Sequence, residues 1–315
     1  MKLIFSPTRL TVLVFASLIV FGSCQKESSA DSNQEEEFAS QASSEADAES
    51  DDIFNEVFDN VMGVNADVAF GGTGVFGQMN PGAQGGTARL TACPDVIITH
   101  LSSANPFPVK VVMDFGTGCT GRDGRTRSGK IVTEYSNRLF IPGAIAKTTF
   151  IDYKVDSVKV QGTHTITNQS EPPTNLNCLN GVTAAPTHKW KVTVEDAKLS
   201  RPNGNYVEWR STKTILQLEG RCTPYNPLDD IYEIRGSSGG KAKRGDLLIA
   251  WNSEITEPLI KKFICRWLVK GIIRTARVNL TTNSPWVATI NYGPGDCDNK
   301  AVVTINGVTH NITLP

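Results

Sequence analysis

From Cys93 to the C-terminus, apolar residues recur at every second position. Trp190, Val192 and Val194 alternate with Lys189, Lys191, Thr193 and Glu195. Phe263, Cys265, Trp267 and Val269 share one face, as do Trp286, Ala288, Ile290 and Tyr292. A chain with this period buries one side only as a β-strand, because successive side chains leave opposite faces of the pleat. Leu247, Ile249 and Trp251 alternate with Leu248 and Ala250, which predicts a strand buried on both faces. Turn residues fall between the runs: Asp123-Gly124, Pro142-Gly143, Pro202-Asn203-Gly204, Gly239-Gly240 and Asn306-Gly307. The expectation over residues 90–315 is therefore one continuous all-β body. It consists of about a dozen or more antiparallel strands joined as hairpins or a meander, in a sandwich or a single curled sheet.

The most specific feature of this body is an echo. Pro108-Val-Lys-Val-Val-Met-Asp114-Phe115-Gly116-Thr-Gly118-Cys119 matches Pro285-Trp-Val-Ala-Thr-Ile-Asn291-Tyr292-Gly293-Pro-Gly295-Asp-Cys297, in register from the proline to the second glycine. Each copy has a cysteine upstream, Cys93 or Cys265, and a glycine further on, Gly129 or Gly307. The simplest account is one unit used twice: strand, strand, glycine turn, strand, closed by a bridge. It pairs Cys93 with Cys119 and Cys265 with Cys297, leaving Cys178 for Cys222. The other pairings that six cysteines allow stay open. Bridges closing loops of ~25–45 residues contribute ~3–4 kcal/mol each if they act by restricting the unfolded chain.

The cysteine count is seven, an odd number. The remaining one, Cys24, ends an apolar run, Leu10–Phe21, that follows Lys2 and Arg9. The run is shorter than the ~20 residues of a membrane span and matches the core of a signal peptide. Leu18-Ile19-Val20-Phe21-Gly22-Ser23-Cys24 resembles the lipobox of bacterial lipoproteins, with Phe21 where leucine is usual. That resemblance implies a signal peptide over residues 1–23 and a lipid on Cys24. The other six sulfurs then meet an oxidising compartment, where disulfides persist. Gln25-Lys26-Glu27 is similar to the Lys-plus-acid signal for display on the Bacteroidota cell surface. With the echo and the run Asp114–Ile131, these features resemble a group of Bacteroidota outer-membrane and surface lipoproteins, over most of the chain after Cys93. The resemblance implies an outer-membrane lipoprotein, on the periplasmic face or the cell surface. It brings no activity with it.

The net charge of −1 conceals an asymmetry. Lys2 and Arg9 give the first 24 residues +2, ten acids against Lys26 give residues 25–52 a charge of −9, and the other 263 residues carry +6. Residues 24–50, rich in Ser, Ala, Glu and Asp, read as the lipidated cysteine and a disordered acidic linker, too poor in apolar residues to offset ordering entropy. Asp51-Asp52 precede Ile53-Phe54, Val57-Phe58 and Val61-Met62. This spacing predicts one short amphipathic helix over 51–63, docked on the body's own surface and stopped by Gly63. Residues 64–89 read as a Gly-rich loop.

Motifs that carry chemistry are weak. Gly124-Arg-Thr-Arg-Ser-Gly129-Lys130 has the spacing of a phosphate-binding loop, but Ile131 stands where a hydroxyl belongs and a strand follows where a helix should. The basic residues Arg122, Arg125, Arg127 and Lys130 read as a solvated turn. The four histidines (100, 164, 188 and 310) are isolated, no Cys-x-x-Cys suggests zinc, and no Gly-x-Ser-x-Gly suggests a hydrolase elbow. Asp296, Asp298 and Asn299 lack the spacing of a calcium loop. Asp152, Asp156, Glu195 and Asp196 are carboxylates that sequence alone does not pair. Four tryptophans sit in apolar sets as core, while Trp209, between Glu208 and Arg210, is the best exposed candidate for stacking on a sugar.

The functional expectation is a lipid-anchored, non-enzymatic structural or binding module of the cell envelope, with no catalytic residue, metal or cofactor. Its partners are the membrane, through the lipid, and a glycan or envelope protein, not nucleic acid; its oligomeric state is left open. The alternative is an enzyme acting on envelope polysaccharide.

Overall fold

The computed structural model describes residues 27–70, 94–121, 124–171, 188–221, 223, 227–281 and 284–314, with helix side chains from 33 to 63. The signal peptide, Cys24 and most of the Gly-rich loop lie outside the described residues. The chain divides into two compact units, Met1–Glu35 and Glu36–Pro315. In the first, the described residues 27–35 are helical. Everything below concerns the second.

The strands are β1 (Asp95–His100), β2 (Val109–Asp114), β3 (Cys119–Thr120), β4 (Thr126–Tyr135), β5 (Ile145–Val155), β6 (Val158–Asn168) and β7 (Lys189–Ser200). They continue as β8 (Tyr206–Glu219), β9 (Ile231–Arg244), β10 (Leu247–Lys262), β11 (Leu268–Arg277), β12 (Ala288–Pro294), β13 (Lys300–Ile305) and β14 (Val308–Thr313). Among the described residues they form one 14-stranded antiparallel sheet in chain order, with β3 pairing β4 off the main path. The path runs from β1 to β14 without closing into a barrel. Of the two expected all-β architectures, this is the single sheet.

Period-two burial follows the sequence. On β8, Val207, Trp209, Ser211, Lys213, Ile215 and Gln217 point inward, while Arg210 and Thr212 between them are exposed. The curl comes from a row of register slips crossing the sheet, at Gln161/Thr163, Val194/Ala197, Glu254/Leu259 and Lys270/Ile272. Bulges bend a strand and increase its twist. Two of them depend on glycine. A Cβ on Gly162 (φ 125°) would stand 2.7 Å from Ala197 Cα, and one on Gly271 (φ 113°) 2.4 Å from the Pro258 carbonyl oxygen.

A helix, α1, runs from Glu27 to Phe70, and the inner face wraps its residues 36–63. The structure thus corrects the expected division into a disordered linker over 24–50, a helix over 51–63 and a loop from 64. One helix runs through all three, and it is not short. Its small residues Ala39, Ala42, Ser43, Ala46, Ala48 and Ser50 are as buried as Ile53, Phe54, Val57, Phe58 and Val61. Residues of low apolar content become ordered here because their charges meet fixed partners on the sheet, as set out below. Phe54 stacks on Trp209 (centroids 5.5 Å, planes 17° apart) and on His164 (6.3 Å, 16°), and Phe58 meets Tyr232 edge-on at 5.6 Å.

The echo is structural. β2 and β12 each end in an Asx turn: Gly116 N donates to Asp114 Oδ1 at 2.9 Å, and Gly293 N to Asn291 Oδ1 at 2.8 Å. Both glycine pairs have positive φ, 58° and 154° against 91° and 133°. The glycines beyond the cysteines differ: Gly129 lies inside β4 and Gly307 in the β13–β14 turn. Cys265 and Cys297 are bonded, Cα–Cα 5.8 Å. Cys119 is also disulfide-bonded, while Cys93, Cys178 and Cys222 lie outside the described residues.

Three local expectations are corrected. Gly239-Gly240 is no turn but the middle of β9. Residues 263–267 form a turn, not a strand, folded over Lys261 Nζ, which donates to the carbonyls of Cys265 and of Arg266 (2.7 Å for the latter). Leu248 is 68% exposed, so β10 is covered on one face only at that point.

Candidate functional site: the seat of the helix

The inner face carries basic and donor side chains opposite the acids that α1 presents between Glu36 and Asp59. Arg277 pairs with Glu36, Arg201 with Glu49 and Lys213 with Asp51. Arg244 Nη1 meets Glu45 at 2.8 Å, and His310 Nε2 lies 3.2 Å from Glu37. Arg125 Nη1 stands 3.3 Å from both Asp52 and Glu56, Arg266 reaches Asp52 at 3.1 Å, and Arg127 Nε donates to Glu56 at 2.6 Å. Lys261 Nζ reaches Asp59 at 2.8 Å. Tyr135 OH donates to the Val61 carbonyl at 2.8 Å. Residues two apart on a 3.6-residue turn point about 200° apart, and both Asp47 and Glu49 have partners. The sheet therefore grips more than one side of the helix.

Asp47 is held differently, by neutral donors. Trp209 Nε1 and Trp251 Nε1 donate to its Oδ1 at 2.8 and 3.0 Å, and Ser238 Oγ lies 2.9 and 3.1 Å from its two oxygens. The strands explain the convergence. Gly240 is the cross-strand partner of both tryptophans, Trp209 on β8 and Trp251 on β10. A Cβ on Gly240 would lie 2.9 Å from the Trp251 ring and 2.4 Å from the Glu208 carbonyl oxygen. With no side chain at Gly240, the Trp251 ring packs directly over the β9 backbone.

Burial sets the electrostatics. It raises the pKa of Asp52, against the pull of Arg266 and Arg125, and pushes Asp59 up to about 6 against Lys261. Lys213 is pushed down to about 8 by burial, with Asp47 opposing. His164, with neither ring nitrogen hydrogen-bonded, is pushed down to about 3 by burial alone. Taking charges out of water costs several kcal/mol each, so such pairs specify geometry more than they add stability.

Several expected surface features lie inside. Arg125 and Arg127 are buried against the helix, not solvated, and Lys130 pairs with Asp114 at 2.6 Å; Arg122 lies outside the described residues. Trp209 is 3% exposed, so it offers no stacking platform. Asp156 accepts from Arg125 Nε at 2.7 Å and from Thr126 N at 2.9 Å, which hold its carboxyl low against burial, while Asp152 accepts from Lys159 at 3.1 Å. The sequence signal for this seat is the charge asymmetry itself, an acidic segment joined to a basic body.

The other face meets water. Glu134, Lys147, Lys191, Arg210, Lys241 and Glu254 are exposed there, whereas a strand face against lipid is apolar. A groove of about 810 Å³ crosses β7–β11, lined by Glu195, Arg210, Thr212, Asn252, Glu254 and Arg274 among others. Among the described residues no helix is long and apolar enough to cross a membrane, and no group of three or more His, Cys, Asp or Glu is placed to hold a metal. Comparison finds no matching protein family, no similar curated protein and no similar solved structure.

Proposed function

We propose that this protein is a lipid-anchored component of the cell envelope that works as a non-enzymatic structural or binding module. The observation that carries the reading is the occupied inner face. The concavity in which a curled sheet would hold a substrate is filled by the chain's own helix, from Ala39 to Met62. The carboxyls raised by burial there, Asp52 and Asp59, are sealed against arginine and lysine. What remains for a partner is the polar outer face and its groove.

The anchor follows from the sequence. The helix starts at Glu27, three residues after Cys24, so a lipid on that cysteine tethers the chain next to a helical segment. Two or more acyl chains, at ~0.8 kcal/mol per buried methylene, hold stably. The Cys265–Cys297 bridge fits an oxidising compartment.

The test is metabolic labelling with a palmitate analogue, followed by protease shaving of intact cells. Label on the wild type and none on Cys24→Ser supports the anchor, and shaving reads the face of the membrane. An unlabelled wild type, or a mature chain that begins elsewhere, overturns the anchor. Turnover of an envelope polysaccharide by the purified protein overturns the non-enzymatic part.

A further inference from the structure

We propose that the inner face of the sheet is a receptor for an acidic helix, and that it also accepts the Glu36–Gly63 segment of a second copy of this chain. The idea stands apart from the lipid anchor.

Three observations carry it. The strand ladder is continuous from β1 to β14, each strand pairing with other strands, and α1 takes no part in it. The helix meets the sheet through side chains, and the Val61 carbonyl, a backbone acceptor, is met by a tyrosine hydroxyl. Withdrawing the helix breaks no hydrogen bond of the strand ladder, while it uncovers the apolar residues packed on Phe54 and Phe58.

The helix is recognised by charge and position along its length. Its first half brings Ala39, Ser40, Ala42, Ser43, Ser44 and Ala46, small side chains with little apolar area. Registration in that half comes from Glu36, Glu45, Asp47 and Glu49, each opposite a dedicated partner. Charge complementarity of this kind selects a partner and a register more than it adds affinity.

The Asp47 seat is a built carboxylate site: two indole N–H groups and a hydroxyl converge on one acid across three strands. The chemistry that satisfies all these positions together is an acidic, small-residue helix, and every copy of the chain carries one. Nothing in the seat distinguishes the helix of its own chain from that of another copy.

The experiment uses two differently tagged full-length chains, one carrying Glu45→Cys and the other Arg244→Cys. This pair lies 2.8 Å apart at the partly exposed rim. Purified separately, mixed and treated with a short bifunctional thiol reagent, they should give an adduct bearing both tags, with a yield that rises with total concentration. Wild-type tagged chains are the blank, and one chain with both substitutions is the intramolecular control. Adding Asp47→Ala to the helix donor should lower the mixed yield. If adducts form only within the doubly substituted chain at every concentration, exchange is refuted. If the double variant fails to crosslink, the seat itself is refuted, and an unchanged yield with Asp47→Ala refutes the role of the carboxylate.

Discussion

Trp209 and Trp251, on strands separated by β9, donate to the same oxygen of Asp47, at 2.8 and 3.0 Å. An acceptor shared by two buried indoles cannot be removed without stranding both. Asp47→Ala leaves those two donors and the Ser238 hydroxyl without a partner, at ~1–3 kcal/mol for each buried orphan. The expected loss is ~3 kcal/mol or more, with Asp47→Asn losing less because it keeps one oxygen. Urea midpoints at unchanged slope, read by tryptophan fluorescence, check both.

Lys261 and Asp59 make a second test. Lys261 is 1% exposed and Asp59 8%. Lys261→Met leaves a buried carboxylate uncompensated, for an expected loss of ~3–5 kcal/mol, and adding Asp59→Leu should recover much of it. Arg235→Ala breaks a pair whose arginine side chain is 62% exposed and should cost within ~1 kcal/mol. Equal effects at the two sites would contradict the burial described.

Acid stability should depend on His164. Its folded pKa, about 3, lies below the ordinary 6.5, so the unfolded chain takes the proton first. The contribution is complete above pH 6.5 and is lost as pH falls toward 3, by ~1.4 kcal/mol per unit. His164→Leu should flatten that limb. Asp59 has the opposite sign: its folded pKa of about 6 exceeds 3.8, so the folded chain takes the proton first and gains stability as pH falls between those values. Asp59→Asn should therefore steepen the acid loss. Urea midpoints from pH 7 to pH 4 separate the two.

Glycines at bulges and glycines in turns should respond differently. A Cβ on Gly236 (φ 140°) would stand 2.2 Å from the Thr212 carbonyl oxygen, whereas one on Gly245 (φ 63°) meets nothing within 4 Å. Gly245→Ala should cost ~1–2 kcal/mol, the strain of a left-handed residue. Gly236→Ala, which must displace a strand, should cost more than ~3 kcal/mol. Thermal midpoints of the two variants rank them.

The strands were legible because a half-buried strand writes its two faces into neighbouring residues, as Trp190, Val192 and Val194 show. The repeated glycine turn was legible as an echo of Asp114-Phe-Gly116 in Asn291-Tyr-Gly293, because each turn is made within three residues. The helix over residues 27–50 was not, because what orders it lies far along the chain: Glu49 meets Arg201 across 152 residues and Glu45 meets Arg244 across 199. Read alone, those acids are solvated. Gly239-Gly240 looked like a turn, since a pair of glycines in a strand gains its meaning only from the two tryptophans beside it. Trp209, flanked by charges, looked exposed because its cover comes from another element.

The order of the chain has a consequence for how it is made. Strand neighbours in the sheet are close in sequence, and short-range pairing favours fast assembly. The acidic helix precedes the strands in the chain, yet its grip on Trp251 and Arg277 spans 204 and 241 residues. Its seat is complete only when the strands that carry those partners have paired. A segment early in the chain is held by strands that come late in it.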